Sequence, residues 1–361
     1  MEWTPEQDDA LRAVDNWLKK GDTPVFRLFG YAGAGKTTLA RHFAEHAGGE
    51  VAFAAFTGKA AHVMRQKGCT DATTIHALIY RPAKSDEEDE PAFAIRRDAP
   101  ASKADLIIID ECSMVDEDLG RDLVSFGKPV LVLGDPAQLP PVKGGGYFTD
   151  GEPDFMLTEI HRQAADNPII RLSMAIREGE PFDEQHDECR MISRRDIDTA
   201  DIMAADQILV GTNRTRKRYN ERLRELHGLS GDTPEAGEKL VCLRNNKKKG
   251  LLNGGIWEVA QRLSPRGGRT RLSIRPEDGG KSVNVSVPRA YFTDGPETVP
   301  WPQRKGADEF DYGYALTVHK AQGSQWDNVV LFDESYAFRE HQARWLYTAV
   351  TRAAERLTVV R

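Results

Sequence analysis

A glycine-rich stretch at residues 30–38 has the residue types and spacing to hold a phosphate, and it reads GYAGAGKTT. It follows an apolar run at 25–29 and precedes a helix-like segment, which is the strand–loop–helix context of a P-loop. Backbone N–H groups of such a loop can surround phosphate oxygens because glycine has no Cβ to block them. The residues predicted to form this phosphate site are Gly30, Gly33, Ala34, Gly35, Lys36, Thr37 and Thr38.

Two of these side chains carry chemistry of their own. Lys36 would place a positive charge on the β- and γ-phosphates of a nucleotide, and the Thr37 hydroxyl would be a ligand of Mg²⁺. A glycine-rich turn that happens to precede Lys-Thr is the structural alternative, but the flanking strand and helix make it the weaker interpretation. The loop therefore predicts a site for a nucleoside triphosphate with Mg²⁺.

A P-loop protein that hydrolyses its nucleotide also needs acidic residues at the end of a neighbouring buried strand, and LIIIDE at 106–111 supplies them. Asp110 would hold Mg²⁺ through water, and Glu111 would polarise the attacking water. The segment LVLGDPAQLPPV at 131–142 is another apolar strand that ends in a polar turn. There Gln138 would sense the γ-phosphate and Asp135 would support the metal site, although a Gly-Asp-Pro turn is also common without such a role.

The elements that must position these residues alternate between strand-like and helix-like segments. Nearly continuous apolar runs at 25–29, 51–56, 106–109 and 130–133 predict buried parallel strands. Because helix-like segments separate them, the sequence predicts a doubly wound α/β domain at 1–150, with a polar excursion at 81–103.

A second series of strands and helices predicts another doubly wound domain at 151–232 and 301–361. It begins with a short strand at 156–158 and includes a basic helix at 213–227. Short β-like runs divided by Gly, Pro and Asn fill residues 233–300. This pattern predicts a small all-β barrel inserted into the second domain.

Length and composition narrow the class of protein. The 361 residues suggest two or three domains, and the apolar (40%) and charged (29%) fractions are ordinary for a globular chain. The net charge of −7 does not point to a polyanionic partner, although RTRKR at 214–218 and KKK at 247–249 are local basic clusters. The four cysteines lack zinc-like spacing, and we expect neither a signal peptide nor a membrane span, which together fit a reducing cytoplasm.

Eight segments occur in one order between residues 30 and 357. They are GYAGAGKT, AFTGKAA, IIIDECSMVD, LVLGDPAQLPPV, LTEIHRQ, ILVGTNRTRKRYN, YALTVHKAQGSQWDNVVL and LYTAVTRAAERL. This ordered set resembles superfamily 1 helicases, specifically the superfamily 1B branch typified by RecD and phage Dda. The resemblance implies two RecA-like domains that clamp ATP and Mg²⁺ between them, with an SH3-like barrel inserted in the second.

The resemblance also implies roles for residues outside the phosphate loop. Arg162 and Arg352 match two arginines that reach the γ-phosphate from the second domain, where a planar, always-charged group suits the transition state. Gln7 matches a glutamine that reads adenine, although it could instead complete a capping box with Thr4. Gln322 and Gly323 fall in the motif that couples nucleotide to nucleic acid.

Other segments match the single-strand path of the family. The residues in them are Thr57, Lys59, Thr74, His76, Thr212, Asn213, Thr317, His319 and Lys320. Small hydroxyls, amides and helix N-termini contact phosphates without reading bases, so these residue types suit a groove that follows the backbone. A lone histidine such as His76 is about as often a packed or surface residue.

The activity implied by the resemblance is ATP-driven 5′→3′ movement along single-stranded DNA, coupled to unwinding of forked duplex DNA. In the family the excursion at 81–103 carries a β-hairpin pin that splits the duplex, but here the acidic run DEEDE at 86–90 would repel DNA phosphates. The alternatives are a protein-displacing translocase with little unwinding, an RNA-directed helicase, and a non-motor nucleotide switch or single-strand scaffold. The β insertion could bind replication or recombination proteins, and the expected compartment is the cytosol of a bacterium or a phage-infected host.

Overall fold

The structure, a computed structural model, describes residues 3–82, 93–141, 145–159, 166–182, 186–277 and 279–361. The strands are β1 (Val25–Gly30), β2 (Val51–Ala55), β3 (Thr73–Thr74), β4 (Tyr80–Pro82), β5 (Phe93–Ile95), β6 (Leu106–Asp110), β7 (Val130–Gly134), β8 (Phe155–Leu157), β9 (Cys189–Ile192), β10 (Gln207–Val210), β11 (Lys239–Cys242), β12 (Ile256–Arg266), β13 (Arg269–Pro276), β14 (Val283–Pro288), β15 (Phe310–Tyr312), β16 (Ala315–Thr317), β17 (Trp326–Phe332) and β18 (Ala353–Val360).

The α-helices among these residues are α1 (Pro5–Lys20), α2 (Lys36–His46), α3 (Gly58–Gln66), α4 (Ile75–Ile79), α5 (Pro100–Lys103), α6 (Glu117–Val124), α7 (Pro168–Glu178), α8 (Thr199–Ala204), α9 (Asn213–Leu226), α10 (Ala290–Thr293), α11 (Trp301–Arg304), α12 (Val318–Ala321) and α13 (Gln342–Val350). Short 3₁₀ turns occupy Cys112–Met114, Lys247–Lys249, Pro296–Thr298 and Ser335–His341. Within the described part of the chain, every helix is too short or too polar to cross a lipid bilayer.

The first domain is built on a six-stranded sheet in the order β3–β2–β6–β7–β1–β8, and all of its pairs are parallel. The doubly wound parallel architecture predicted from the sequence is confirmed here. The short strand near residue 156 was assigned to the second domain from the sequence, and that assignment is wrong. Leu28 on β1 lies opposite Phe155 on β8, so β8 forms the edge of the first sheet. Three residues of β-like sequence could not show which sheet they join.

Both faces of this sheet are covered by helices, which explains why its central strands β6 and β7 are apolar up to their carboxyl ends. All five residues of β6 and all five of β7 are buried. Ile108 packs with α1, α2 and α3 on one face, whereas its neighbours Ile107 and Ile109 pack with α4 and α6 on the other. Successive side chains of a strand point to opposite faces, so a doubly covered strand must be apolar at every position.

The second domain repeats this plan with a five-stranded parallel sheet in the order β16–β10–β17–β18–β9. α7 and α13 pack on one face through residues such as Leu172 and Trp345. α9 packs on the other face through Leu223. The α/β prediction is therefore confirmed for this half of the chain as well.

The insertion is an antiparallel sheet in the order β14–β13–β12–β11–β15, with a hydrophobic core of its own. The predicted segment 233–300 contains four of its five strands, and β15 lies beyond that boundary. Two hydrogen bonds connect the edge strand β14 to the residues just before the other edge strand, β15. The Asp308 N–H donates to the Ser286 carbonyl (2.9 Å), and the Ser286 N–H donates to the Asp308 carboxylate (3.0 Å). The insertion is thus all-β, and its SH3-like character stays a prediction.

The predicted excursion at 81–103 contains a two-stranded antiparallel hairpin, β4 with β5, followed by α5. Tyr80 at its base donates a hydrogen bond to Asp122 on α6, which fixes the hairpin to the first domain. The acidic run at 86–90 lies outside the described residues. A hairpin is the shape expected of a strand-separating pin, and that role stays a prediction.

A buried ion pair holds the insertion against the second domain. Glu238, which precedes β11 and is fully buried, accepts hydrogen bonds from Arg224 Nε (2.6 Å) and Nη2 (3.1 Å). It also accepts one from the backbone N–H of Glu235 (2.7 Å). The Arg224 guanidinium, on α9, lies 4.2 Å from the ring centre of Tyr312 on β15. This contact therefore joins α9 to the base of the insertion.

Replacing Arg224 by Met should lower the free energy of unfolding by about 3–5 kcal/mol, because it leaves the Glu238 carboxylate buried without a counter-charge. Urea denaturation followed by circular dichroism measures the change. Arg222→Met is the matched control, since Arg222 lies on the same helix in an exposed pair with Glu225 and should change stability by less than about 0.5 kcal/mol. Equal losses in the two variants would contradict this account.

Candidate functional site

The residues predicted to bind a nucleotide meet in a cleft of about 330 Å³ between the two parallel-sheet domains. The first domain lines it with Ala32, Gly33, Gly35, Lys36, Thr37, Thr38, Val63, Lys67, Asp110, Glu111, Gly134, Asp135 and Gln138. The second domain lines it with Gly323, Ser324, Gln325, Thr351 and Arg352. The carboxyl ends of β1, β6 and β7 meet at the same edge of the first sheet, which brings the loop and the acidic residues together.

The glycine loop has the geometry of a phosphate cradle. Gly33 (φ 83°) and Gly35 (φ 81°) have left-handed backbones, which side-chain-bearing residues rarely adopt. A Cβ on Gly30 would lie 2.8 Å from the Leu157 Cβ, so the loop can lie this close to β8 only with glycine there. Lys36 opens α2, and its ammonium donates to the carbonyls of Gly30 (2.7 Å) and Tyr31 (2.9 Å). The positive charge of Lys36 is therefore held against the loop by these two hydrogen bonds.

The acidic pair faces this loop from the end of β6. The Thr37 hydroxyl donates to Asp110 Oδ2 (2.9 Å), and Asp110 Oδ1 accepts from the Glu111 backbone N–H (2.8 Å). Glu111 has a left-handed backbone (φ 54°), which is uncommon for a residue with a side chain and often marks a functional turn. A hydroxyl and a carboxylate oxygen this close together are suitable ligands for Mg²⁺, so the residues present fit that ion.

Two carboxyl groups in the cleft have raised pKa values. Burial raises the pKa of Glu111; the positive charge of Arg352 opposes that shift, and Asp110 adds to it. Burial also raises the pKa of Asp135, while Lys36 and a hydrogen bond from Tyr347 oppose the rise. A raised pKa is what a general base needs in order to accept a proton readily near neutral pH.

Gln138 lines the same cleft with an unsatisfied amide. Its Oε1 atom is buried, and within the described residues it has no hydrogen-bond partner. Buried polar atoms are nearly always paired, so this oxygen is suited to accept a hydrogen bond from a ligand or water that enters the cleft. The predicted γ-phosphate sensor is thus placed where a ligand could complete it.

A residue that the sequence reasoning missed joins the two domains at the phosphate loop. Tyr347, on α13 of the second domain, donates its hydroxyl hydrogen to Asp135 Oδ2 (2.6 Å) and accepts from the Ala32 backbone N–H (3.0 Å). One phenol therefore contacts the loop, the residue after β7 and the second domain together. Tyr347 lies in the quoted segment LYTAVTRAAERL, but an aromatic residue on an apolar helix usually indicates core packing, so its type alone gave no signal.

A second contact places Leu139 of the first domain inside the second. Its side chain packs in the hydrophobic core of that domain. Its N–H donates to Thr348 Oγ1 (2.9 Å), and its carbonyl accepts from Gln322 Nε2 (3.1 Å). Gln322 therefore contacts the loop that carries Gln138, and it does not line the cleft. Gly323 does, and a Cβ there would lie 2.9 Å from the Ala60 Cβ on α3.

Of the two arginines predicted to reach the γ-phosphate, Arg352 lies among the described residues. Arg352 lines the cleft and is 5% exposed. Its donors bind the Thr348 carbonyl (3.0 Å), the Ser324 carbonyl (3.2 Å) and the Thr351 hydroxyl (3.2 Å), all within the second domain. Arg162 lies outside the described residues. Another arginine of the second domain, Arg177, reaches the loop, with its guanidinium 3.7 Å from the ring centre of Tyr31.

Gln7 has the capping role considered for it, and its adenine-reading role stays a prediction. It forms the capping box of α1 with Thr4, and its amide also donates to the Ala34 carbonyl in the phosphate loop (3.2 Å). Gln7 is buried and does not line the cleft, like Gly30 and Ala34. The structure thus places it behind the loop, where it supports Ala34.

The threonines predicted to contact a nucleic acid form two matching pairs. Thr57 and Thr74 cap α3 and α4 at the carboxyl ends of the adjacent strands β2 and β3. Thr212 and Thr317 cap α9 and α12 at the ends of the adjacent strands β10 and β16. Each domain therefore presents two capped helix starts at the same edge of its sheet.

The remaining predicted contacts lie around these pairs. Lys320 donates to Asn253 of the insertion (2.6 Å), and burial lowers its pKa. His76 lies between the rings of Phe56 and Tyr80, and His319 packs against the ring of Phe338.

Burial lowers the pKa of both His76 and His319, so neither ring gains charge from its setting. Lys59 is half-buried near the start of α3, and Asn213 is exposed at the start of α9.

Comparison with known proteins agrees with this geometry. Residues 2–196 match the family model of an AAA domain, and residues 312–360 match the UvrD-like helicase C-terminal domain. The ATP-dependent RecD2 DNA helicase of Deinococcus radiodurans is 30% identical over 91% of this chain, and the RecBCD enzyme subunit RecD of Mycobacterium tuberculosis is 26% identical over 98%. These matches cover 46% and 69% of the two relatives, so the chain spans less than half of the first.

The fold is also shared with Pif1 of Bacteroides, whose crystal structure was determined bound to single-stranded DNA. The two superimpose with a TM-score of 0.63 at 19% identity, over 99% of this chain and 92% of that one. The AAA-domain match alone covers more than half of the sequence. With its phosphate loop and its two parallel-sheet domains, the chain belongs to the AAA-domain family, carries a UvrD-like helicase C-terminal domain and is similar to superfamily 1B helicases of the RecD type.

Proposed function

We propose that this chain hydrolyses ATP, with Mg²⁺, to move along single-stranded DNA in the 5′→3′ direction and to unwind forked duplexes. The observation that carries the proposal is the cleft, in which a phosphate loop from one domain faces an arginine from the other. Hydrolysis at such a cleft would remove the γ-phosphate that both domains contact. The resulting change in the gap between the domains can be turned into movement. The relatives named as DNA helicases and the DNA-bound Pif1 structure support DNA as the track.

The phosphate loop and Lys36 would bind the β- and γ-phosphates of ATP. Thr37 and Asp110 would hold Mg²⁺, which neutralises charge on the phosphate oxygens when it is bound. Glu111 would accept the proton of the attacking water, and Gln138 would orient the water or the γ-phosphate. Each of these side chains lines the cleft from the first domain.

Arg352 would stabilise the charge that develops on the γ-phosphate, with Arg162 as the second such group. Three of the five N–H groups of Arg352 are bound to Thr348, Ser324 and Thr351, which leaves two for phosphate oxygens. Since those partners belong to the second domain, binding of Arg352 to the phosphate would draw that domain onto the nucleotide. Loss of the phosphate would reverse it.

Movement along DNA would follow from the two threonine pairs. They lie on different domains, so a change in the gap between domains changes the distance between them. Contacts from hydroxyls and helix starts to phosphates carry no sequence information, which suits a motor that must pass any base.

A translocase that displaces proteins but unwinds little is the second candidate, because the acidic run at 86–90 would lie in the hairpin expected to split the duplex. Binding of replication or recombination proteins to the β insertion, and a cytoplasmic location, complete the proposal.

Glu111→Gln should bind ATP with nearly unchanged affinity but hydrolyse it about 10²–10⁴-fold more slowly, since an amide cannot accept the proton. Steady-state hydrolysis with single-stranded DNA and equilibrium binding of a fluorescent ATP analogue measure the two effects. Glu117→Gln is the matched control, because that glutamate lies on α6 in an exposed pair with Arg121. Wild-type turnover by Glu111→Gln would rule out Glu111 as the base.

The Glu111 carboxyl also predicts how the rate of ATP hydrolysis depends on pH. Because burial raises the pKa of Glu111, hydrolysis should be lost on the acid side at a pH above the ordinary carboxylate range. The positive charge of Arg352 opposes that rise. In Arg352→Gln the acid limb of single-turnover hydrolysis should therefore move to higher pH.

Tyr347→Phe should weaken the coupling between the domains. It removes the hydroxyl that satisfies both Asp135 and the Ala32 N–H, each of which would be left without this partner. We expect a loss of about 1–3 kcal/mol in stability and a fall in the stimulation of hydrolysis by DNA, with unstimulated hydrolysis less affected. Tyr336→Phe, at a 68% exposed position, is the control. Unchanged stimulation in Tyr347→Phe would contradict the coupling role.

A forked duplex with a single 5′ tail should be unwound in the presence of ATP, whereas the same fork with only a 3′ tail should not. Strand release measured by fluorescence gives the activity, the direction and the substrate together, and Lys36→Ala provides the inactive control. Equal use of both tails would overturn the direction. Stimulation of hydrolysis by DNA without strand release would favour the translocase, and stimulation by RNA alone would favour an RNA track.

A further inference from the structure

Two histidines and a glutamate cluster at the end of α2, on the side of the first domain away from the cleft. His42, Glu45 and His46 occupy the last turns of this helix, and none of them lines the nucleotide cleft. His46 is ten residues beyond Lys36, which corresponds to about 15 Å along an α-helix. The mechanism proposed above uses none of the three.

Their spacing places three potential metal ligands together. Residues four apart on a helix face the same way, and the rings of His42 and His46 have centres 4.1 Å apart. One nitrogen of each ring and one carboxylate oxygen of Glu45 all lie within 4.8 Å of one another. Ligands of a tetrahedral ion at about 2.0–2.1 Å are separated by about 3.3 Å, so the side chains of His42 and Glu45 would move toward His46 when an ion binds.

The hydrogen bonding around the cluster prepares one ring for coordination. His46 Nδ1 lies 2.8 Å from the His42 carbonyl oxygen, which places the proton on Nδ1 and leaves the lone pair of Nε2 free to bind an ion. A backbone carbonyl that holds the second nitrogen of a ligating histidine is the usual arrangement in metal sites. The bond also fixes the orientation of the ring.

The surroundings of the cluster are apolar on one side and open to solvent on the other. His42 and His46 border a hollow of about 310 Å³ between α1 and α2, whose walls include Leu11, Leu18 and Phe43. The edge of the Trp3 ring packs against His42, with ring centres 5.2 Å apart. Glu45 and His46 are exposed, and Arg41 Nε lies 3.5 Å from the Glu45 carboxylate, so an ion would replace this surface pair when it binds.

The ligand types select the class of ion. Two imidazoles and one carboxylate match the three-ligand sets that bind Zn²⁺ with a water in the fourth position. Mg²⁺ and Ca²⁺ prefer sets made of oxygen alone, so the ion of the nucleotide cleft would not compete well here. The four cysteines of the chain are all buried, at 1% exposure or less, and none lies in this cluster to offer a thiolate.

We propose that His42, Glu45 and His46 form a binding site for one divalent transition-metal ion of the zinc class. Bound there, the ion links the last two turns of the helix that begins at the phosphate loop, and it stabilises the folded first domain by mass action. The site is separate from the Mg²⁺ position between Thr37 and Asp110.

The test uses the full chain, purified without a polyhistidine tag and freed of metal with a chelator that is then removed. Zn²⁺ is titrated by calorimetry in the presence of excess Mg²⁺, and Co²⁺ is titrated by visible absorption, since tetrahedral Co²⁺ has a distinct spectrum. We expect one equivalent of Zn²⁺ per chain, a Co²⁺ spectrum with imidazole ligation, and a rise in melting temperature with added Zn²⁺.

Variants assign the ligands. His46→Ala and His42→Ala should each weaken Zn²⁺ binding by at least about tenfold and remove the thermal shift, and Glu45→Gln should weaken binding by a smaller factor. His227→Ala is the control, because His227 stacks on Tyr314 in the second domain and should leave binding unchanged. Melting temperatures without metal show that each variant is folded.

Hydrolysis of ATP by His46→Ala should remain at the wild-type level, which separates this proposal from the proposed helicase activity. Two results would overturn the site. One is no binding of Zn²⁺ by the wild-type chain at micromolar protein. The other is binding that is unchanged in the His42→Ala/His46→Ala double variant.

Discussion

The insertion of Leu139 into the second domain is the contact on which the geometry of the cleft depends. The side chain lies in a core that belongs otherwise to the other sheet, and both backbone polar atoms of the residue are bound by side chains of that domain. A residue held in three ways cannot shift unless the domains shift. Because Gln138 is its direct neighbour, the position of the unsatisfied amide in the cleft is set by the other half of the molecule.

Electrostatics in the cleft reinforces this dependence. Three acidic side chains, Asp110, Glu111 and Asp135, lie near Lys36 and Arg352, and burial raises the pKa of two of them. The positive charges that oppose these shifts come from both domains, Lys36 from the first and Arg352 from the second, so the pKa of Glu111 depends on where the second domain lies. A polar cluster of this kind is sensitive to small displacements, because each charge is worth more in a buried setting than in water.

Much of this arrangement could be predicted from the sequence, and the exceptions have physical reasons. The phosphate loop and the residue after β6 were recognisable because glycine, lysine and carboxylate at that spacing serve few other purposes. The capping box of Thr4 and Gln7 was recognisable because capping is local chemistry.

Sheet membership was harder to predict. β8 and β15 are three residues each, and their pairing is decided by distant strands that no local pattern reveals. Tyr347 and Leu139 were missed for the same reason, since an apolar or aromatic residue looks alike in a core and at a domain contact.

The buried state of all four thiols has a practical consequence for experiments on this chain. Cys69, Cys112, Cys189 and Cys242 are at most 1% exposed, so maleimide reagents will find no native target on the folded surface. A single cysteine engineered on each sheet domain would then carry a donor and an acceptor dye in the otherwise unaltered sequence. Energy transfer between the two dyes would follow the opening and closing of the lobes, one molecule at a time.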